Sequence, residues 1–164
     1  MYGCVGCGFD WELNQSQLVQ DIGRVGSLYR AQADRLLLSG GSSALRVRPR
    51  PAVWSPLEYL VHMRDVADFY VGRIEQTLVE DRPQLNSVGF AALADVHRYN
   101  DHNVEDALTR LDELSSLAAS RLGALEPLQW RRVGVGTDGD ERDILTLARR
   151  LAHEAHHHLL DITS

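Results

Sequence analysis

The chain predicts an all-α protein, a four-helix bundle preceded by a short irregular Cys-x-x-Cys segment. Three observations carry that expectation. Four long stretches repeat apolar residues at three- and four-residue steps, the period of a helix with one buried face. Breaks rich in Gly, Pro and Ser separate them. No segment alternates apolar and polar residues convincingly enough to predict a strand, and no internal repeat is present. At 164 residues the chain reads as a single domain, residues 1–164, with residues 1–12 as an N-terminal knuckle.

The first helix is predicted from Gln15 to Ser39, on the stripe Leu18, Ile22, Val25, Tyr29, Ala33, Leu36 and Leu37. Gly40-Gly41-Ser42-Ser43 stops it, and Arg48-Pro49-Arg50-Pro51 is an extended linker. Ser55-Pro56-Leu57-Glu58 opens the second helix, with Ser as N-cap, Pro at the first position and Glu at the third. Its stripe runs from Leu57 through Leu78, to about Glu80. Residues 81–101 form a loop with one short helical piece. Asn103 caps the third helix, which ends at Gly123. After a second loop holding Pro127, Trp130 and the turn Thr137-Asp138-Gly139-Asp140, the fourth helix runs from about Glu141 to Ile162.

Composition narrows the function classes. The net charge is −6, and all 17 basic residues are Arg. An acidic chain lacks the basic surface that counterion release at nucleic acid requires, so nucleic acid is not an expected partner. No apolar run reaches the ~20 residues of a membrane span, and the start of the chain lacks a secretory leader pattern. A cytoplasmic protein acting on a small molecule is expected, with homodimerisation through helix faces left open.

Four of the seven histidines fall within residues 153–158, together with Glu154. They are threaded through an Ala/Leu helical pattern, unlike an appended tag. Helical phase divides them. Ile144, Leu147, Ala148, Leu151, Ala155 and Ile162 form the apolar ladder, and Glu154 and His158 lie on its flank, one turn apart. His153 and His157 lie roughly opposite, with Thr146, Arg149 and Arg150, and His156 falls between. The inward pair is therefore Glu154 and His158. A buried Glu beside an imidazole is costly unless compensated, and a metal compensates directly; a Glu–His salt bridge at a helix edge is the plainer alternative. On the second helix, His62 interrupts an apolar stripe with Tyr59, Val66 and Phe69. Alone it reads as a satisfied core residue. With Glu154 and His158 it completes a three-ligand divalent-metal site with room for water and substrate. Asp65 is a candidate to orient His62, or a solvated helix charge.

The segments Trp54-Ser55-Pro56-Leu57-Glu58-Tyr59-Leu60-Val61-His62-Met63-Arg64-Asp65-Val66 and His153-Glu154-Ala155-His156-His157-His158-Leu159-Leu160-Asp161-Ile162 resemble the two signature helices of the DinB/YfiT-like superfamily. This is a damage-inducible family of four-helix metalloproteins, unrelated to the DNA polymerase of the same name. It includes mycothiol-dependent maleylpyruvate isomerases and bacillithiol S-transferases. The resemblance covers about Leu18 to Ile162. It implies a divalent metal (zinc first, nickel or another transition metal as alternatives) held by His62, Glu154 and His158, where many relatives have His at the Glu154 position. It also implies metal activation of a low-molecular-weight thiol or of water, for transfer to, or isomerisation or hydrolysis of, a small electrophile. Arg64, Tyr99 and Trp130 are candidates for shaping the open end of the site. A metal- or ligand-binding bundle without catalysis is the competing class.

Cys4-Val5-Gly6-Cys7-Gly8 has the form of a zinc knuckle, but two thiols are half a site. Cys4, Cys7, His153 and His157 would together make a Cys2His2 set for a second, structural metal. That requires the knuckle to meet the outer face of the last helix; a reversible disulfide, two free thiols, and cysteines supporting the first metal are the alternatives.

Overall fold

The computed structural model describes Cys4 and residues 6–163. Four long helices form the bundle: α1 (Gln15–Arg46), α2 (Pro56–Val79), α4 (Val104–Gly123) and α5 (Ile144–Thr163). Short α3 (Phe90–Val96) lies between α2 and α4. Around the bundle, α1 packs on α4, α4 on α2, α2 on α5 and α5 on α1. Two of the three links between the long helices, α2 to α4 and α4 to α5, carry small elements of their own. Among the described residues no helix is long and apolar enough to cross a membrane.

Helix starts follow local chemistry. Asn14 and Gln17 form a reciprocal capping box on α1, and Ser55 and Glu58 form one on α2, as the sequence predicts there. Asn103 accepts from the Glu105 and Asp106 amides to cap α4. At Gly40–Ser43, where a stop is expected, α1 kinks instead. Gly41 takes φ +65°, and a final turn continues to Arg46. That turn buries Leu45, and Arg46 donates to the carbonyls of Asn100 and His102, so tertiary contacts sustain helix beyond the glycines.

The expectation of no strand is overturned. β1 (Gln84–Leu85), β2 (Val133–Gly136) and β3 (Glu141–Asp143) form a small sheet in the order β1-β2-β3. β1 pairs parallel with β2, and β2 antiparallel with β3. The turn between β2 and β3 contains Asp138-Gly139, with Gly139 at φ +83°, a hairpin signal. Because Glu141–Asp143 pair with β2, α5 begins at Ile144 and not at Glu141. The Asp143 carboxylate accepts from the Thr146 amide at 2.8 Å and starts the helix.

The α2 cap is tied to the linker before it. Glu58 is 3% exposed; it accepts from Arg48 Nε at 2.8 Å and from the Ser55 amide at 2.7 Å. Burial pushes its carboxyl up, but Arg48 and Ser55 outweigh this and hold it below its ordinary 4.5. A carboxyl with a lower pKa folded than unfolded stabilises the fold above the unfolded value and loses that contribution as pH falls through the folded value. Glu58→Gln should therefore cost about 2 kcal/mol at neutral pH. Urea unfolding repeated down to about pH 3 should show the gap from wild type shrinking. A gap independent of pH would place the loss in packing rather than charge.

Candidate metal centre

His62 sits one turn beyond Glu58 on α2 and is 5% exposed. Its ring meets Trp54, Phe90 and His158 edge to face, at centroid distances of 5.2, 5.2 and 4.7 Å. Opposite it, α5 presents Glu154 and His158 one turn apart. The Nε2 atoms of His62 and His158 lie 3.1 Å apart, and Glu154 Oε2 lies 3.5 Å from His158 Nε2. One nitrogen from each histidine and one oxygen from Glu154 all lie within 4.8 Å of one another. Behind His158, Nδ1 meets Asp161 Oδ2 at 2.8 Å, while the Tyr59 ring stacks on the imidazole at 5.3 Å. Tyr29, on α1, donates to the Ala155 carbonyl at 3.1 Å and ties this stretch of α5 to the bundle.

Charge is arranged around this point. Burial lowers the His62 pKa to about 4, with the neighbouring His158 adding to the effect, so His62 is neutral at physiological pH. Burial also opposes charge on His158, but hydrogen bonds and charges from Glu154 and Asp161 outweigh it and raise its pKa. Glu154 feels the converse: burial raises its pKa, but His158, His153 and His62 together hold it low.

A second cluster lies on the neighbouring face of α5. Cys4, Cys7, His153 and His157 each bring a donor atom within 4.8 Å of the others. Cys4 Sγ is 3.4 Å from His157 Nδ1, and both thiols are free. The segment is docked by Phe9 and Trp11, whose rings pack on His153 at 5.5 and 4.8 Å. His156 reaches the Cys7 carbonyl at 2.9 Å, and Arg149 reaches that of Leu13 at 3.1 Å. The structure thus brings both sequence-derived groups together. His153 and His157 do not simply face solvent, because the N-terminal segment covers them.

Residues 28–162 match the DinB superfamily, over most of the length of the chain. The chain belongs to the DinB superfamily. Among solved structures it is similar to YfiT from Bacillus subtilis, described as a probable metal-dependent hydrolase with an unusual four-helix bundle topology. The TM-score is 0.83 at 19% identity, covering 97% of this chain and 91% of that one. Comparison with curated proteins gives no match.

Within this DinB bundle, several expected helpers fall elsewhere. Asp65 does not hold His62. It accepts from Arg64 at 2.8 Å and from the Tyr99 hydroxyl at 2.6 Å, and His62 Nδ1 is buried without a hydrogen-bond partner among the described residues. Tyr99 lies one layer back, packing on Trp54, which in turn packs on His62. Trp130 is buried in the 3-10 turn Gln129–Arg131 and has no ring contact with the cluster. Aromatic rings close over His62, so the opening is on the Glu154 side.

No single stretch of sequence reveals that opening. A cavity of about 260 Å³ reaches Glu154 and is lined by Tyr70, Arg73, Phe90, Arg142 and Arg150, among others. Arg142 is paired with Asp138 across the β2–β3 turn. Arg150 lies beside Tyr70 in the lining. Arg73 lies 4.0 Å from the centroid of the Phe69 ring. Arg142 was hidden because its strand was not foreseen. Arg150 stands one turn before Glu154, but helical phase groups it with His153 and His157.

Proposed function

We propose that the chain is a divalent-metal-dependent enzyme acting on a small anionic electrophile. The observation that carries this reading is the convergence of His62, Glu154 and His158, with Glu154 also lining an arginine-bearing cavity. The donor set fits a cation. Two imidazoles and one carboxylate are the ligands of a catalytic zinc site, and three protein donors leave a position for a reactant. His62 is held neutral, as a ligand must be, and the Asp161 contact at His158 Nδ1 leaves Nε2 free to face the cluster. When bound, such a cation lowers the pKa of a water or thiol and supplies hydroxide or thiolate near neutral pH.

The rest follows from the side chains. Arg150, with Arg73 beyond it, presents guanidinium groups that pair with a substrate carboxylate in a partly desolvated cavity. Glu154, between that cavity and His158, keeps a negative charge next to the reacting end. Trp54 and Phe90 pack edge-on against His62 and Tyr59 packs on His158, which shields both imidazoles from water. Two nucleophiles suit this geometry. The likeness to YfiT favours water, and the resemblance of the α2 and α5 segments to thiol-using relatives favours a small thiol.

The test is a screen of metal-loaded protein against carboxylate-bearing esters, amides and electrophiles, with and without added thiol. A transferase is silent without thiol; a hydrolase is indifferent to it. Arg150→Leu should raise KM about tenfold or more, the worth of one charge-assisted contact, while metal content stays at the wild-type level. Fully metallated protein that turns over nothing in either condition would replace this reading with a non-catalytic metal-binding bundle.

A further inference from the structure

We propose that Cys4, Cys7, His153 and His157 bind a second, structural zinc ion that fastens the N-terminal segment to α5. Cys7 is 9% exposed and Cys4 is half-buried, and neither is in a disulfide. Their sulfurs share a 4.8 Å neighbourhood with two imidazoles placed one turn apart on a single helix. Two thiolates and two imidazoles form the closed four-ligand set of structural zinc, unlike the three-ligand set around His62. Gly6 stands between the thiols, and Gly8, at φ +68°, turns the chain just after Cys7.

A separate observation points to a missing ligand. His153 Nδ1 lies 3.5 Å from Glu154 Oε1, so Nε2 is the nitrogen left over. It is buried and has no hydrogen-bond partner among the described residues. A buried imidazole nitrogen left unpaired is costly, and a metal bond removes that cost. His157 is similarly supported from behind: Nδ1 faces Cys4 Sγ, and Nε2 lies 3.6 Å from Asp161 Oδ2. Among the described residues from Cys4 to Asn14, moreover, no helix or strand forms, so side-chain contacts must order the segment, and a metal bond would add to them.

The two clusters share their carboxylates. Glu154 offers Oε1 to His153 and Oε2 to His158, and Asp161 Oδ2 stands between His157 and His158. Zinc at the knuckle would therefore brace Glu154 and Asp161 for the centre around His62, a consequence that rests on the function proposed above. The zinc site itself does not depend on it.

Cobalt replacement tests the site, because thiolate bound to Co(II) gives a near-ultraviolet charge-transfer band that nitrogen and oxygen ligands do not. Reduced wild type loaded with Co(II) should show that band and bind two equivalents. The variant Cys4→Ser/Cys7→Ser should lose the band and one equivalent. His62→Ala should lose the other equivalent and keep the band, which separates failure of the His62 centre from failure of this one. Should the double serine variant not fold, alkylation of wild-type thiols serves instead: slow with zinc bound, fast after chelation. Saturated, reduced wild type without the band, thiols that alkylate equally fast with and without zinc, or a Cys4–Cys7 disulfide persisting under reducing conditions would each overturn the proposal.

Discussion

His62→Ala should leave the bundle folded and strip the main centre of its metal. The substitution removes the one donor that α2 contributes and leaves Glu154 and His158, both from α5, to hold the ion across a gap. Loss of a partner behind a ligand already lowers metal affinity roughly 10–100-fold, and loss of a ligand itself should exceed that. The metal-free fold has less to lose. His62 Nδ1 is already buried without a hydrogen-bond partner, so the imidazole contributes packing against Trp54 and Phe90 but no polar bond on that side. Melting curves with and without added zinc resolve the two effects. In wild type, zinc should raise Tm in proportion to its binding. In His62→Ala, the increment from this centre should vanish, while the metal-free Tm falls only by the cost of a modest cavity. An undiminished increment would mean that His62 is not a ligand.

Gly26→Ala should destabilise the bundle, although alanine is the better helix former. A Cβ built at Gly26 would lie 2.5 Å from Asp112 Cα and 2.7 Å from its Cβ, where α1 crosses α4. Helix propensity alone favours alanine by about 1 kcal/mol. The clash is with backbone, which no rotamer change relieves, so the two helices must part and loosen their buried layer. Overpacking of this kind costs up to about 3 kcal/mol, which outweighs propensity. Gly72→Ala on α2 is the matched control, because nothing lies within 4 Å of a Cβ placed there. Urea unfolding should show Gly26→Ala less stable by about 2 kcal/mol and Gly72→Ala unchanged or slightly more stable. Equal effects at both positions would show that α1 and α4 yield more readily than their close approach suggests.

Where sequence and structure agree, a periodic physical cause is at work. Each long helix buries one face, so its phase can be counted, and the same count separated Glu154 and His158 from His153 and His157. The Ser55–Glu58 box marks the start of α2 because an N-cap and its third residue satisfy each other locally. Non-local causes were not legible. Val133–Gly136 is a short Gly-alternating run whose strand exists only because Gln84–Leu85 and Glu141–Asp143 pair with it. The turn beyond Gly41 survives because Leu45 and Arg46 find partners elsewhere in the fold. Asp65 stands one turn from His62, as an orienting residue would, but its neighbour Arg64 claims it together with Tyr99, which comes from a segment whose placement spacing does not reveal. The arginine-lined cavity needs Arg73 from α2, Arg142 from β3 and Arg150 from α5, so it could not be read from any one stretch of sequence.

The account stands on one arrangement: a divalent cation shared by α2 and α5. The most direct measurement is anomalous diffraction from crystals of wild-type protein loaded with zinc, with data collected on both sides of the zinc absorption edge. The expected result is a peak bonded to His62 Nε2, His158 Nε2 and a Glu154 carboxylate oxygen. Fully loaded crystals with no peak among these three atoms, or with the ion held by His157 and Asp161 instead, would contradict it.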